Sequence, residues 1–340
     1  AAIEQACTLA LRRWRDGAPV LDLAEVEPRE DDAYLLRPYV IEGASSGFFA
    51  DGGTGKSLLA LAVALSVSTG EPLLGVYPGR VCPALYLDWE WDEEAHAERL
   101  RALCTAYEIK VPLKSVYYRR EVASVIEGAP SIRRYIAERG VGLVIIDSLG
   151  MARGGEPESA DLTIRTFAAF RSFGVPVLFV DHIAKHATDK SHSFGSVYTR
   201  NSARLMWRLD SDGETEGVAP KRLGLVNTKW NRRFQKPRGL LLTTETDEKD
   251  RLIAARFDDC EPPLATIRTA SLRDAIAAVL RQNLAGLSLH DLRLVLEAEG
   301  VKVTENVLGA TLGRKANKEI FEFRDRVWRT NALVNQLVVD

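Results

Sequence analysis

The stretch Ala50-Asp51-Gly52-Gly53-Thr54-Gly55-Lys56-Ser57 decides how the rest of this chain is read. It follows a short apolar run, Gly47-Phe48-Phe49-Ala50, and opens a helical pattern over 56–69. Small residues let backbone N–H groups wrap a phosphate, and a helix N-terminus adds its dipole. A lysine then reaches the outer phosphates and a hydroxyl reaches Mg2+. Asp51, Gly52, Gly53, Thr54, Gly55, Lys56, Ser57 and Leu58 are the candidate phosphate-binding residues. Ala50 stands where the P-loop pattern has its first glycine, which is tolerable while its φ stays negative.

A phosphate loop of this kind needs an acid for its metal on a nearby strand. Leu143-Val144-Ile145-Ile146-Asp147 supplies one, four apolar residues and then a carboxylate. Asp147 and Ser57 are therefore the expected Mg2+ residues. A second acidic strand end is Leu87-Asp88-Trp89-Glu90. A carboxylate beside the γ-phosphate polarises the attacking water, and Glu90 is the first candidate for that task, Asp88 the second. Trp89 and Trp91 read as packing residues.

Outward from these motifs, apolar runs alternate with helical segments at 56–69, 92–107, 130–139 and 158–173. Ala84-Leu85-Tyr86-Leu87 and Val177-Leu178-Phe179-Val180 join the two runs already quoted. Runs this short and apolar on both faces suit central strands of a parallel sheet. Segments 204–209, 221–229, 238–244 and 251–257 follow with short connections and read as an antiparallel extension. The fold class is α/β, with ligands at the carboxyl ends of the strands.

Length and composition bound the rest. A chain of 340 residues, 46% hydrophobic and 27% charged, has ample apolar surface and is not disordered throughout. A net charge of −2 excludes a uniformly basic nucleic-acid coat. That sum hides an asymmetry, because residues 185–238 hold 12 basic and 5 acidic side chains. Cys7, Cys82, Cys104 and Cys260 have neither ladder nor zinc spacing and suit a reducing, cytoplasmic setting. No apolar run approaches a membrane span and no secretory leader is read. The opening Ala1-Ala2-Ile3, without Met, leads to the expectation of a piece of something longer.

Three parts are expected. Residues 1–38 are an N-terminal helix and linker, with Arg12, Arg13 and Arg15 closing the helix. Residues 39–260 are the α/β core, ended by Glu261-Pro262-Pro263. Residues 268–332 carry three helical signatures and a hairpin around Asp325-Arg326, a winged-helix pattern. Ser271 and Ser288, each with an acid three residues on, resemble capping boxes. Arg314, Lys315 and Lys318 near the third helix, and Arg324 and Arg326 on the wing, are its cations. Residues 271–340 hold 10 basic and 9 acidic side chains, so both DNA contact and protein docking stay open for this module.

The order of P-loop, strand-Asp-x-Glu, strand-Asp and strand-Asp-His resembles the RecA-like ATPase core, most of all the RepA and DnaB group of hexameric helicases. In AAA+ proteins the catalytic acid sits beside the metal-strand Asp, whereas Ser148 follows Asp147 here. The resemblance implies ATP as substrate, Glu90 as catalytic base and His182 as the γ-phosphate sensor. It implies DNA-contacting loops at 149–159 and 184–198, the second carrying Lys185, His186, Lys190 and His192. It also implies cations donated by a neighbouring subunit. The DnaB-like group uses Lys-x-Arg there, and Val226-Asn227-Thr228-Lys229-Trp230-Asn231-Arg232-Arg233 is similar with one residue more. Lys229 and Arg232 take that role, with Arg233 and Arg222 as alternates.

The implied protein is an ATP-dependent motor on single-stranded DNA, a homo-hexamer hydrolysing ATP at its subunit interfaces. Replication or mobile-element proteins docking on the winged helix are further expected partners. A repair or recombination ATPase and an ATP-switched DNA-binding regulator are the alternatives.

Overall fold

In the computed structural model the alternation of strands and helices builds one nine-stranded sheet among the described residues. Described are residues 2–8, 20–27, 34–111, 115–156, 158–183, 197–211, 220–230, 236–263, 266, 272–298, 301, 303–314, 317 and 320–330. The chain divides into two units, 1–33 and 34–340. In the first, residues 2–8 are helical with every residue exposed.

The second unit opens with a small antiparallel pair, β1 (Tyr34–Leu36) and β2 (Val40–Ile41). The core strands are β3 (Ser45–Ala50), β4 (Ala84–Asp88), β5 (Val116–Arg120), β6 (Leu143–Asp147), β7 (Val177–His182) and β8 (Leu205–Ser211). The extension is β9 (Lys221–Trp230), β10 (Arg238–Thr246) and β11 (Leu252–Cys260). Helices α1 (Lys56–Thr69), α2 (Glu93–Ala106), α3 (Val125–Arg139), α4 (Leu149–Arg153), α5 (Ala160–Ser172) and α6 (Val197–Ser202) connect them. The sheet order is β11-β10-β9-β8-β3-β7-β6-β4-β5. From β8 to β5 all neighbours are parallel, and from β8 to β11 they are antiparallel. The P-loop strand β3 and the Asp147 strand β6 are separated by β7 alone.

Strand alternation sorts the core into two layers. Phe48, Ala84, Tyr86, Leu143, Ile145, Leu178 and Val180 pack with α1 and α2 on one face. Phe49, Leu85, Leu87, Val144, Ile146 and Phe179 pack with α3, α4 and α5 on the other. Helix α1 buries almost its whole circumference, as a helix apolar all round must. No helix among the described residues is long and apolar enough to cross a membrane.

The structure departs from the sequence expectation in four places. Helix α3 starts at Val125 rather than at 130, because Ser124 and Glu127 form a reciprocal capping box and Pro130 is carried inside the helix. Residues 149–153, expected as loop, are helix α4, since Leu149, Ala152 and Arg153 are buried; Gly154 ends it at φ 73°. Strand β8 pairs parallel to β3, so the antiparallel part begins one strand later. Strand β5, with sequence Val-Tyr-Tyr-Arg-Arg, was not expected; it lies at the sheet edge, only half-buried.

After β11 come α7 (Leu272–Gln282), α8 (Leu289–Ala298) and α9 (Glu305–Leu312), then the hairpin β12 (Phe321–Arg324) and β13 (Val327–Thr330). Asp325 and Arg326 both have positive φ, the turn a two-residue hairpin requires. Ile276, Leu280, Leu292, Leu296, Leu308, Leu312 and Phe321 form an apolar cluster of their own. Ser288 caps α8 through the Asp291 N–H and Thr304 caps α9 through the Val307 N–H. Ser271 lies outside the described residues.

Candidate active site

The carboxyl ends of four strands meet in register. Asp88 on β4 pairs with Asp147 on β6, Asp147 with Val180 on β7, and Ala50 on β3 with His182. Residues 86, 145 and 180 face α1, so the period of two turns Asp88, Asp147 and His182 to that same face. Directly opposite is the loop between β3 and α1.

That loop is shaped by left-handed glycines. Gly53 has φ 70° and Gly55, the N-cap of α1, has φ 99°, a region that costs residues with a Cβ. Ala50 is not among the positive-φ residues, so the missing first glycine carries no backbone strain. No acid occupies the first turn of α1 and no side chain caps it. Its terminal N–H groups are left for a ligand, as phosphate cradles require. Lys56 is buried and folds over the loop, its Nζ donating to the carbonyls of Ala50 (3.1 Å) and Asp51 (2.8 Å). Burial lowers its pKa, opposed first by Asp147 and then by Glu90. Thr54 Oγ1 donates to the Asp51 carbonyl at 2.7 Å.

Asp147 is 4% exposed. Burial raises its pKa, although the Tyr86 hydroxyl donates to Oδ2 at 2.5 Å and the Ser57 hydroxyl also bonds to it. A bound cation removes the cost of that buried charge, so the Ser57 and Asp147 pair fits a divalent ion completed by phosphate oxygens and water. No cluster of three or more His, Cys, Asp or Glu side chains suited to a metal occurs among the described residues.

The two acids after β4 differ in what they touch. Asp88 accepts from the N–H groups of Glu90 (3.0 Å) and Trp91 (3.1 Å) and from Tyr118 Oη (2.9 Å), and lies 3.1 Å from His96 Nε2. Burial is the largest influence on it and works against ionisation; the hydrogen bonds from His96, Glu90 N–H and Tyr118 together outweigh it and lower the pKa. Its oxygens are thus spent on folding the turn between β4 and α2. Glu90 instead faces the P-loop across the strand ends. Its carboxylate accepts a short hydrogen bond from Ser148 Oγ and lies 3.4 Å from His182 Nε2. The bond from His182, against burial and with help from Ser148, holds its pKa below the usual glutamate range.

P-loop residues 53–58 with Asp88, Glu90, Asp147 and His182 line a cavity of about 370 Å³. A volume in that range admits a small-molecule ligand. The family model for an AAA domain matches residues 13–188. The chain belongs to the AAA domain family. It is an ATPase of the P-loop type and binds nucleotide. No curated protein matches it. The AAA domain match takes in the P-loop, both acid-bearing strands and the His182 strand, and ends before β8.

Two further side chains bear on the site without having been foreseen, Arg99 within the AAA domain and Lys221 beyond it. Arg99 on α2 lines the cavity and lies over the Trp91 ring, 4.5 Å from its centroid. It sits seven residues, two helical turns, after the Asp92 N-cap, on the face that also turns His96 inward. Lys221, at the start of β9, donates from Nζ to the Gly53 carbonyl at 2.7 Å. Burial lowers its pKa.

The remaining expected residues lie elsewhere. Asp51 and Gly52 are exposed on the outer side of the loop. Lys229 does not line the cavity. It is level with Gly47 near the start of β3, by way of Met206, and its Nζ donates to the carbonyls of Arg200 and Asn201. Burial lowers its pKa, followed by the charges of Arg204 and Arg200. Arg222 is exposed on β9. Arg232, Arg233, Lys185, His186, Lys190, His192, Lys315 and Lys318 lie outside the described residues.

Proposed function

We propose that this chain is an ATP-driven motor on single-stranded DNA, a homo-hexameric helicase that hydrolyses ATP between subunits. The observation that carries this reading is the Glu90–His182 pair, drawn from the ends of β4 and β7 on either side of β6 and set opposite Lys56. The N–H groups of the P-loop and Lys56 bind the β- and γ-phosphates. Ser57 and Asp147 hold Mg2+, which when bound neutralises charge on the phosphate oxygens. Glu90, kept ionised by His182 and Ser148, takes the proton of the attacking water. His182 lies where it meets the γ-phosphate and reports its loss to the segment after β7. The basic residues 185–238 grip the DNA backbone, Lys185, His186, Lys190 and His192 among them.

Lys229 and Arg232 act as cations for the site of a neighbouring copy. What supports this for Lys229 is its place at the end of β9 away from the P-loop of its own chain; Arg232 lies outside the described residues. A heterologous contact closes into a ring when its rotation permits and otherwise extends into a filament, and the hexameric reading takes the first. Residues 39–260 form the motor and 268–332 a winged helix that docks on DNA or on replication or mobile-element proteins. The separate apolar cluster of α7, α8 and α9 supports that division.

The test is ATP turnover measured together with particle size, with and without single-stranded DNA, on the wild type and Lys56→Ala. DNA-stimulated turnover by closed rings, absent in Lys56→Ala, is expected. Filaments on DNA would instead favour a repair ATPase, and nucleotide binding without turnover would favour an ATP-switched regulator.

A further inference from the structure

We propose that Tyr86 is a positioning residue that withholds one oxygen of Asp147 from the divalent ion and so makes the site favour Mg2+ over Ca2+. The inference rests on the reading of Ser57 and Asp147 as the Mg2+ residues given above. Tyr86 is in the middle of β4 and pairs with Ile145 on β6, two residues before Asp147. Residues two apart on a strand share a face and are separated by about 6.6 Å. A small residue at 86 would not span that step, and a phenol does. Its hydroxyl donates to Asp147 Oδ2 at 2.5 Å, and the same oxygen lies 3.5 Å from the Ser57 carbonyl in the first turn of α1. Tyr86 is 1% exposed, so water does not compete for the bond.

The phenol is a fixed donor. Burial and then the charge of Asp147 push its pKa well above the ordinary value, so it keeps its proton. Its ring is held by the buried His96 of α2, with ring centroids 4.7 Å apart. His96 is itself tied, because its Nε2 lies 3.1 Å from Asp88 Oδ2, which also accepts from Tyr118 Oη at 2.9 Å. With Oδ2 committed to Tyr86, Asp147 has one oxygen left to offer an ion, directly or through water. The other two acids of the cavity do not make up the difference. Asp88 is spent on its own turn, and Glu90 is engaged by Ser148 and His182. Ca2+ takes about six to eight oxygens in flexible geometry and accepts carboxylates through both oxygens. Mg2+ demands an octahedron, keeps several waters and needs only one or two carboxylates. A carboxylate limited to one oxygen therefore suits Mg2+ and denies Ca2+ its two-oxygen contact.

The test is displacement of Mn2+ from the protein–ADP complex by Mg2+ and by Ca2+, followed by electron paramagnetic resonance. In the wild type the preference for Mg2+ over Ca2+ is expected to exceed that of ADP alone. Tyr86→Phe keeps the ring against His96 and removes the hydroxyl, and ADP binding without metal reports that its pocket is folded. In that variant Mg2+ affinity is expected to fall about tenfold, the usual cost of a lost outer-shell partner, while Ca2+ affinity holds or rises. Asp147→Ala is expected to weaken both ions, and Tyr86→Phe added to it is expected to change nothing further, because both act through one carboxylate. A wild-type preference equal to that of ADP alone, or an unchanged preference in Tyr86→Phe, overturns the inference and leaves Asp147 on the metal. A change of preference that persists in the double variant overturns it as well, since Tyr86 then acts by another route. Wild-type ion binding in Asp147→Ala instead removes the metal reading on which the inference rests.

Discussion

The Ser148 hydroxyl donates to the Glu90 carboxylate, joining the residue after the buried Asp147 to an acid delivered by the neighbouring strand. The position beside the metal-strand Asp is thus filled by a donor, and the carboxylate arrives from β4. Together with His182 this leaves Glu90 ionised and pointed at the P-loop.

Glu90→Gln keeps the shape of the side chain and removes its basicity. ATP turnover is expected to fall by about 10²- to 10⁴-fold, the usual worth of a general base. Nucleotide affinity and the thermal midpoint are expected to stay close to wild type. Binding by equilibrium titration and turnover by phosphate release check both halves; wild-type turnover would remove Glu90 from the chemistry.

Asp88→Ala is expected to behave in the opposite way. It strips the acceptor from two N–H groups, Tyr118 and His96 at a partly buried turn. Hydrogen bonds to a charged group contribute roughly 1.5–3 kcal/mol each, and orphaned donors add to the loss, so a destabilisation of about 3 kcal/mol or more is expected in denaturant unfolding. Two acids two residues apart are separated by which property fails, stability or turnover.

Much of this site is legible in the amino-acid order alone. The apolar runs of β3, β4, β6 and β7 end in the P-loop, Asp88, Asp147 and His182, and a period of two places those acids with α1. The parts that are not legible depend on distant partners or on an ambiguous local signal. Asp88 and Glu90 both end a strand, and only the tight turn after β4 shows which one is consumed. Lys221 meets Gly53 across 168 positions of sequence, which no spacing rule anticipates. Pro130 suits a helix start, yet the Ser124–Glu127 box, opening six residues earlier, sets it. Strand β5 has half-buried aromatic and arginine residues in place of an apolar run, the composition of an edge.

The pH profile follows from the hydrogen bonds to Glu90. A base works when deprotonated, so a lowered pKa keeps the enzyme active further into acid. Removing a donor raises that pKa and moves the acidic limb to higher pH. Ser148→Ala is expected to show this upward displacement in kcat against pH while the alkaline side is unchanged. An acidic limb that does not move, or moves down, would show that Ser148 does not tune the base.

Lys221 places an ammonium on a P-loop carbonyl from outside the cavity. It adds positive potential to the loop and holds Gly53 at its left-handed φ. Lys221→Met is expected to raise KM for ATP several-fold with kcat preserved, the signature of lost uniform binding. Lys221→Arg is expected to restore part of it. An equal loss in kcat would place Lys221 in the chemical step instead.

The separation of Lys229 from its own P-loop makes the last prediction one about pairs of chains. Lys229 is level with the start of β3, while Lys56 follows its end, so a single copy cannot bring the two together through the sheet. If Lys229 completes the site of the next copy, Lys229→Ala and Lys56→Ala are each inactive alone but complement one another when mixed. In a heterologous ring assembled at random from equal amounts, about one site in four pairs an intact P-loop with an intact Lys229. Roughly a quarter of wild-type ATP turnover is then expected to return on mixing. No recovery, with mixed assembly verified by a tag on one variant, would mean that Lys229 serves only to hold the α6 carbonyls of its own chain.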